Sequence, residues 1–436
     1  SIMKINPNSN KSLALQIIEN VFPLNRQFSH PEYKIAANLV CENLPFKNYD
    51  FQNADEVLGW RIPPSVVVKK AEIRSAEYLI YDGTSHPLAV IAGTTSVNDK
   101  VSGSDLKKHL HFHPVRHQDI PWHFRQMYQP WKRTWGFCVP KAIYDSIKDT
   151  QTYEVSIKTE ESKGNLQVLE YTKKGKYDLN FVFCSHLDHP CMANDDLSGA
   201  ALGIELFKWI EAQNTNFTYT LLIVPEIIGT ELYLQKTKKK FHEGLFLESL
   251  GSSGNLKLQA SYHSNSSIEQ VLKNITKNMD TKLEHYGFRE IAENDEIVFE
   301  AHGIPMSSLT RHPFVEHHSS ADNLSIIKQK SLDEVIKLLK KLVTEIEKKT
   351  FVKKIFEGYP CLSNPDYDLY ISGIQRAFPE LDDNKRHDLR KVMDLISVME
   401  HFTPLERILQ PVGTHSKDVL KYLRKCEKKN LIEIIN

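Results

Sequence analysis

Two histidines and three aspartates lie between positions 186 and 196, in the segment SHLDHPCMANDD. An apolar run, LNFVFC, precedes this segment, and the helical pattern LSGAALGIELFKWIEA follows it. One interpretation is a polar loop in which Asp195 or Asp196 caps the helix. The other is a metal site, because imidazoles and carboxylates are the ligands that zinc takes in catalytic centres.

Three further segments favour the metal site. Glu226 follows the apolar run TYTLLIVP, Glu248 lies within LFLESLG, and His317 and His318 precede a helical pattern in FVEHHSSADN. In open α/β sheets, ligands bind at the carboxyl edge of the strands. Burying several unpaired carboxylates there would be costly without a cation. The absence of thiolates from the set suits zinc in a hydrolytic centre.

Alternating patterns predict the elements that position these residues. Strand and helix patterns alternate from about residue 167 to 349, which is typical of a layered α/β sheet. Helical periodicity covers 11–45, and residues 60–157 have the short alternating runs of β structure. We therefore predict a discontinuous α/β domain over 1–58 and 160–350, an inserted mainly-β domain over 59–159, and a helical domain over 351–436.

Composition excludes several functions. The 436 residues include 55 basic and 55 acidic side chains, and this balance argues against an extended nucleic-acid or anionic-membrane surface. No apolar run approaches the roughly 20 residues of a membrane helix. The six cysteines form no CxxC pair, which is typical of reduced thiols, so we expect a cytoplasmic protein.

The ordered motifs resemble those of the zinc aminopeptidases with co-catalytic metals, the family that also includes glutamate carboxypeptidase and glutaminyl cyclase. Members have His-x-Asp after one strand, Asn/Asp-Asp-x-x-Ser-Gly at a helix start and a Glu-Glu pair before glycine. An acid three residues before glycine follows, and then His-Thr-x-x-Asp. The corresponding segments in this chain are SHLDH, ANDDLSGA, VPEIIGTE, LESLG and HHSSADN. The resemblance implies a three-layer αβα sheet and a peptide or amino-acid amide as the substrate.

This resemblance also implies roles for the residues. The implied metal ligands are His186 and Glu248 for one zinc, His318 for the other, and Asp195 between the two. Asp188 would orient the ring of His186, as carboxylates beside metal-bound histidines do. Glu226 would be the general base that accepts a proton from water.

Other residues of the motifs have less definite roles. Asn294 and Asp295, in ENDEIVFEAHGIP, match the family segment that lines the substrate pocket. No family role corresponds to His189, Asp196 or His317, so we expect these side chains to be solvated or locally hydrogen-bonded.

The chain departs from the family pattern after the apolar run TYTLLIV. The sequence there is PEIIG, so counting back from Gly229 places Glu226 at the base and Ile227 at the missing metal ligand. The other alignment makes Glu226 the ligand and leaves no base. Since isoleucine cannot bind a metal, we expect one tightly bound zinc and a second that binds weakly or not at all.

The insertion and the tail resemble an aminopeptidase-like branch of the family that is associated with bacterial polysaccharide biosynthesis. We predict that the insertion is a lid whose aromatic cluster forms part of a pocket, with the residues Trp122, Tyr128, Trp131 and Trp135. Its closely spaced histidines, His109, His111 and His113, are predicted to be uncoordinated surface residues. The tail has the pattern of a winged helix, with IEII as a wing strand. Residues 353–436 contain 14 basic and 13 acidic side chains, so a protein partner is favoured over DNA.

The leading hypothesis is thus a zinc-dependent aminopeptidase or related amidohydrolase. One alternative is a metal-binding regulatory or scaffold protein that contacts a partner through its winged helix. The other is a single-zinc cyclase or acyl-transfer enzyme. Ile227 favours the regulatory protein, whereas the otherwise complete set of site residues favours an enzyme.

Overall fold

The computed structural model describes residues 2–371, 384–399 and 401–436. The α-helices in these ranges are α1 (Leu13–Val21), α2 (Pro31–Cys41), α3 (Gly103–Lys107), α4 (Lys141–Ser146), α5 (Gly199–Glu211), α6 (Ile228–Lys236), α7 (Ser267–Thr276), α8 (Glu296–Ala301), α9 (Gln329–Ile346), α10 (Asn384–Val398), α11 (Leu405–Leu409) and α12 (Ser416–Lys428). Within the described ranges, no helix combines the length and the apolar composition that a membrane crossing requires.

The strands of the same ranges are β1 (Asn25–Arg26), β2 (Lys47–Phe51), β3 (Ser65–Ser75), β4 (Tyr78–Asp82), β5 (Val97–Ser102), β6 (Leu110–His111), β7 (Phe137–Cys138), β8 (Thr152–Ser162), β9 (Leu166–Lys173), β10 (Asn180–His186), β11 (His189–Pro190), β12 (Thr218–Val224), β13 (Glu243–Glu248), β14 (Leu256–Gln259), β15 (Leu283–Tyr286), β16 (Met306–Thr310), β17 (Phe351–Lys354), β18 (Phe402–Pro404) and β19 (Ile432–Ile435).

The described chain forms two compact units. The first comprises Ser1–Lys174, Asn180–Asn214 and Thr218–Leu342, and the second comprises Gly175–Leu179, Thr215–Phe217 and Val343–Asn436. The first unit therefore contains both the predicted insertion and the α/β sheet. The three predicted domains, with boundaries after residues 58, 159 and 350, stay a prediction.

A mixed sheet of eight strands, in the order β15-β14-β16-β13-β10-β12-β9-β2, is the centre of the first unit. The strands β16, β13, β10 and β12 are parallel to one another. On one side, β14 is antiparallel to β16 and parallel to β15, and on the other side the pairs β12–β9 and β9–β2 are antiparallel. All residues of β10 and β12 are buried. This explains their continuous apolar sequences, because a strand that is covered on both faces needs no polar alternation.

Helices cover both faces of this sheet. A β-carbon at Gly203 of α5 would lie 2.9 Å from the side chain of Leu221, so α5 packs closely on that face of β12. The next residue, Leu222, belongs to a buried cluster with Leu232 of α6 and Phe299 of α8. Successive side chains of a strand point to opposite faces, so α5 and α6 lie on opposite sides. The α/β architecture predicted from the sequence is confirmed, with a central sheet and helices packed on it.

Residues 65–162 of the first unit form a smaller antiparallel sheet with the strand order β4-β3-β8-β5. It has a core of its own, which includes Ala71, Ile73, Phe137 and Val155. The buried residues of its two central strands, β3 and β8, include Ala71, Ile73, Val155 and Ile157. The predicted inserted domain over 59–159 stays a prediction. Its function as a lid is a separate matter and stays a prediction.

The second unit contains the three-stranded antiparallel sheet β18-β17-β19 together with α10, α11 and α12. The predicted strand IEII is β19, which pairs with β17. Val352 of β17 shares a buried cluster with Ile396 of α10 and with Leu423 of α12. That residues 351–436 form a winged helix, and that they bind a protein partner in preference to DNA, both remain predictions.

Candidate metal centre

Adjacent parallel strands bring three of the predicted site residues to one edge of the large sheet. His186 is the last residue of β10, and Glu248 is the last residue of β13. Glu226 follows β12 after a single proline. Because β10 lies between β12 and β13 and runs parallel to both, all three side chains start from the carboxyl edge, where ligands bind in such sheets.

The carboxylate of Asp195, just before α5, is surrounded by four imidazoles. The Nε2 atom of His186 lies 3.1 Å from Oδ1 of Asp195. The other oxygen, Oδ2, lies 3.0 Å from Nε2 of His318, 3.3 Å from Nε2 of His317 and 3.5 Å from Nε2 of His189. Burial would raise the pKa of Asp195, but the surrounding histidines hold this pKa well below its usual value. The carboxylate is therefore ionised.

A second aspartate, Asp322, binds the backbone of the loop that carries Asp195. The N–H groups of Asn194 and Asp195 donate to the two carboxylate oxygens of Asp322, at 2.7 and 3.0 Å. Burial raises the pKa of Asp322 to about 7. The sequence segment HHSSADN contains Asp322, but its spacing alone did not indicate which backbone groups it would bind.

Asp196 joins two strand ends. Its carboxylate accepts hydrogen bonds from the backbone N–H of His186 at 3.1 Å and of Ser249 at 2.9 Å. The side chain is fully buried. Asp196 is therefore neither solvated nor only locally bonded, because its partners lie 10 and 53 positions away in the sequence. Its oxygens fix the spacing of β10 and β13 beside the site.

Asp188 contacts both histidines of the SHLDH motif. Its Oδ1 lies 3.3 Å from Nδ1 of His186, and its Oδ2 lies 3.1 Å from Nδ1 of His189. Its Oδ1 also accepts a 2.8 Å hydrogen bond from the backbone N–H of Glu226. One carboxylate thus contacts two rings and the turn that carries the predicted base.

The turn at Glu226 has an unusual backbone. The N–H of Ile228 donates to the carbonyl of Glu226 at 2.7 Å, and the intervening Ile227 has φ 64° and ψ −69°. This is a γ-turn of the rare, strained type, and a positive φ is especially unfavourable for a β-branched residue. Oε2 of Glu226 lies 3.5 Å from Nε2 of His189. Burial raises the pKa of Glu226 to about 8.

Gly229 and Asp295 support this turn. A β-carbon at Gly229 would lie 2.6 Å from Cδ of Pro225, so the turn closes tightly only over glycine. Asp295 accepts hydrogen bonds from the backbone N–H of Ile227 at 2.9 Å and from the hydroxyl of Thr230. Burial raises the pKa of Asp295 to about 6.

Asn294 and Asp295, which were expected to line the substrate pocket, are both buried. The contacts that we find for Asp295 are with the turn that carries Glu226, which sequence reasoning missed because the two lie far apart along the chain. Direct contact of either residue with a substrate stays a prediction.

Glu248 is buried at the end of β13, where its Oε2 accepts a 3.2 Å hydrogen bond from the hydroxyl of Thr310 on β16. In the described ranges, two sets of side chains bring their ligand atoms within 4.8 Å of one another: His186, Asp188, His189 and Glu226 form one, and His189, Asp195 and His318 form the other. Glu248 belongs to neither set, so its predicted role as a zinc ligand stays a prediction.

His189 and His317 require a revision of the expectation that they would be solvated or only locally bonded. His189 is buried and belongs to both sets of potential ligands. His317 is partly exposed, and its ring stacks on that of His318 with the centroids 3.6 Å apart. The local sequence could not show this, because these rings meet Asp195 only through the tertiary fold.

The donor atoms fit a metal ion. Both ring nitrogens of His186 and Nδ1 of His189 are buried and make no hydrogen bond of acceptable geometry to any group in the described parts of the chain. Acidic oxygens nevertheless lie 3.1–3.3 Å from these three atoms. A cation between Nε2 of His186 and the carboxylate of Asp195 would satisfy both groups, and this combination of ligands suits zinc.

Aromatic side chains form a wall beside the site. The ring of Trp122 lies 4.2 Å from that of His189 and 4.9 Å from that of His318, measured between centroids. A small cavity is lined by Gln27, Phe28, Trp122, Phe124, Met127, Tyr128, Asp188 and His189. Of the predicted aromatic cluster, Trp122 and Tyr128 therefore lie at the site.

The remaining aromatic and histidine residues of the insertion lie elsewhere. Trp131 is exposed, and Trp135 stacks on the ring of His109 with the centroids 3.7 Å apart. His111 packs against His123 at 4.1 Å, and burial lowers the pKa of His111 to about 4. His111 is thus a partly buried packing residue and not the surface residue that was expected.

Arg26 anchors the loop between His186 and Asp195. This fully buried side chain donates to the carbonyls of Leu187 at 2.7 Å, Met192 at 2.9 Å and Leu24 at 3.3 Å. Because β1 also pairs with β11, Arg26 lies directly opposite His189 in the register.

We expect Arg26→Leu to destabilise the protein by several kcal/mol, because each buried carbonyl left without a partner costs about 1–3 kcal/mol. The measurement is the free energy of unfolding in urea, with Arg61→Leu, an exposed arginine, as the control. An unchanged free energy of unfolding for Arg26→Leu would contradict the anchoring role.

Known proteins are similar to this chain in sequence and in fold. A Clostridium acetobutylicum protein, named for polysaccharide biosynthesis and an aminopeptidase-like domain, is 25% identical over 344 residues, which cover 76% of this chain and 77% of the relative. A crystal structure from the same organism, described as that of a peptidase, superposes with a TM-score of 0.72 at 21% identity and covers 97% of this chain and 96% of the other.

An experimentally solved zinc aminopeptidase from Bacillus subtilis superposes with a TM-score of 0.59 at 12% identity, over 77% of this chain and 94% of the other. The fold of this chain is therefore similar to that of zinc aminopeptidases. The family described as Domain of unknown function (DUF4910) matches residues 15–349. Since this match spans most of the sequence, the chain belongs to the DUF4910 family.

Proposed function

We propose that this protein is a zinc-dependent hydrolase of the aminopeptidase type, which cleaves an amide bond with Glu226 as the general base. The observation that carries the proposal is the position of Glu226, whose carboxylate lies beside the cluster of imidazoles around Asp195. The fold shared with a zinc aminopeptidase supports the same reaction class. The aminopeptidase-like domain in the name of the Clostridium relative agrees with it.

The proposed reaction requires a zinc ion and residues that bind it. His186, His318 and Asp195 would hold zinc, with Glu248 as a further candidate. Bound zinc supplies Lewis acidity, which polarises a carbonyl group and makes water a better nucleophile.

Glu226 would accept a proton from the attacking water and then deliver it to the departing amine. Its pKa of about 8 without a metal reflects burial, and a nearby divalent cation would favour the ionised form that a base requires. The hydrogen bonds from Glu226 N–H to Asp188 and from Ile227 N–H to Asp295 would keep the carboxylate in place.

The surroundings of the site favour a substrate with an apolar group next to the amide. Trp122, Phe124 and Tyr128 offer an aromatic surface beside His189, and such surfaces bind apolar side chains. A peptide or an amino-acid amide has both features. Because the Clostridium relative is named for polysaccharide biosynthesis, we add an amino sugar derivative as a second substrate class to test.

Removal of the metal is expected to abolish the activity. Dialysis against a chelator should leave a folded but inactive protein, and addition of zinc should restore hydrolysis of amino-acid amides. The measurement is release of a chromogenic amine, with circular dichroism before and after chelation to verify the fold. Undiminished hydrolysis by the metal-free protein would refute the proposal, and so would zinc-loaded protein that cleaves neither substrate class.

A further inference from the structure

His189 is placed as a metal-binding histidine would be. Its Nδ1 lies 3.1 Å from Oδ2 of Asp188, and its Nε2 points to the opposite side, 3.5 Å from an oxygen of Asp195. Metal-bound histidines commonly donate one ring N–H to a carboxylate, which leaves the lone pair of the other nitrogen free for the metal. His186 has the same relationship to the other oxygens of Asp188 and Asp195.

The two histidines are thus arranged as a pair around two carboxylates. Asp188 contacts Nδ1 of both rings, and each Nε2 faces a different oxygen of Asp195. A carboxylate that binds two metal ions presents one oxygen to each. The Oδ1 side of Asp195 then has His186, and the Oδ2 side has His189 together with His318.

The family pattern places a ligand of the second metal at position 227, but the residue there cannot bind a metal. Ile227 has no donor atom in its side chain, and it packs against the buried cluster that includes Val224, Ile228 and Leu232. The turn that gives Ile227 its positive φ therefore places a partly buried apolar side chain against this cluster. His189 approaches the same region from β11, with its Nε2 3.5 Å from Oε2 of the adjacent Glu226.

We propose that His189 is a metal ligand, and that its Nε2 completes a second zinc site with Asp195 and His318. This inference rests on the proposed function, because it requires that zinc binds at Asp195. Two histidines and one carboxylate are a known ligand set of catalytic zinc, which leaves a position open for water or substrate. The second site would then be complete despite Ile227, and the chain would hold two zinc ions.

His317 is the competing candidate, since its Nε2 also lies 3.3 Å from Oδ2 of Asp195. Its side chain is 30% exposed, whereas that of His189 is 2% exposed. Asp188 contacts the second nitrogen of His189, an arrangement that fixes the ring for coordination. A partly exposed ring loses more conformational freedom on binding a metal, so His189 is the better ligand.

The test compares the zinc content of four proteins: the wild type, His189→Asn, His317→Asn and His186→Asn. Asparagine retains an amide group near the position of Nδ1, so His189→Asn keeps a polar group beside Asp188 and removes the metal-binding Nε2. Each full-length protein is equilibrated by dialysis against the same zinc-buffered solution. Bound zinc is then counted by elemental analysis, and the fold is verified by circular dichroism.

We expect about two zinc ions per chain for the wild type and for His317→Asn, and about one for His189→Asn. His186→Asn should lose the other zinc. A His189→Asn protein that keeps the wild-type number of zinc ions would overturn the inference, and so would loss of a zinc from His317→Asn alone. A wild type that binds no zinc would instead refute the proposed function, so the two failures are distinguishable.

Discussion

Glu226→Gln is expected to abolish amide hydrolysis while the protein keeps its bound zinc. Glutamine has nearly the same size and the same backbone N–H, so the hydrogen bond from residue 226 to Asp188 is retained. It cannot accept a proton from water at the pH of the assay. Loss of a general base typically lowers the rate by about 10²–10⁴-fold. The measurements are kcat for a chromogenic amino-acid amide and the zinc content of the same sample.

The control for this substitution is Glu211→Gln, at an exposed glutamate at the end of α5. It should leave both kcat and zinc content unchanged. If Glu226→Gln loses zinc together with activity, then Glu226 is a ligand, and the alignment of PEIIG that was set by Gly229 is wrong. If activity persists with zinc bound, another group is the base.

Asp195→Asn is expected to remove tightly bound zinc from the whole centre. The Asp195 carboxylate faces four imidazoles, and each of its oxygens lies on a different side of the centre. An amide carries no charge, and its NH₂ group would point at an imidazole where the second oxygen had been. Both the attraction for a cation and one coordinating atom are therefore lost.

The comparison variant is Asp188→Asn, which alters only the carboxylate behind the rings of His186 and His189. Loss of such a partner typically weakens metal binding about 10–100-fold, so this variant should retain zinc when zinc is abundant. Equilibrium dialysis over a range of free zinc concentrations measures both affinities. If Asp195→Asn binds zinc as tightly as Asp188→Asn, then Asp195 is not a shared ligand.

The two substitutions test different parts of the site. Glu226→Gln removes a proton acceptor and leaves the electrostatics of the metal ligands almost intact. Asp195→Asn removes the negative charge that compensates the buried imidazoles. Burial alone would lower the pKa of His189, but Asp195 and Asp188 raise this pKa to about 10. Their outcomes therefore separate loss of chemistry from loss of metal.

The alternation of strands and helices, and the chemical groups at the strand ends, could be predicted from the sequence. LNFVFC and TYTLLIV are apolar because β10 and β12 are covered on both faces. The polar residues that follow them could be placed at one sheet edge without any knowledge of side-chain contacts, since parallel strands end together. Local patterns determine these features because they depend on neighbouring residues.

Helix boundaries near the site could not be predicted in this way. The helical pattern LSGAALGIELFKWIEA begins at Leu197, with Asp195 or Asp196 as a possible cap, whereas α5 begins at Gly199. Asp195 has φ −104° and ψ 97°, and Asp196 has φ −125° and ψ 27°, so neither residue has a helical backbone. Their side chains and N–H groups bind His186, Ser249 and Asp322 instead of capping a helix. These tertiary contacts outweigh the local preference.

Only the tertiary structure decided which side chains meet at the centre. Asp295 accepts a hydrogen bond from Ile227, which lies 68 positions earlier in the sequence. Arg26 donates to the carbonyl of Leu187, 161 positions later, and so anchors the loop that contains His189. His189 itself matches no family role in the sequence, so the sequence predicted a solvated or locally hydrogen-bonded side chain. The direction of the His189 ring depends on the backbone angles of its loop, which bring the nearby carboxylates of Asp188 and Asp195 to opposite sides of the ring.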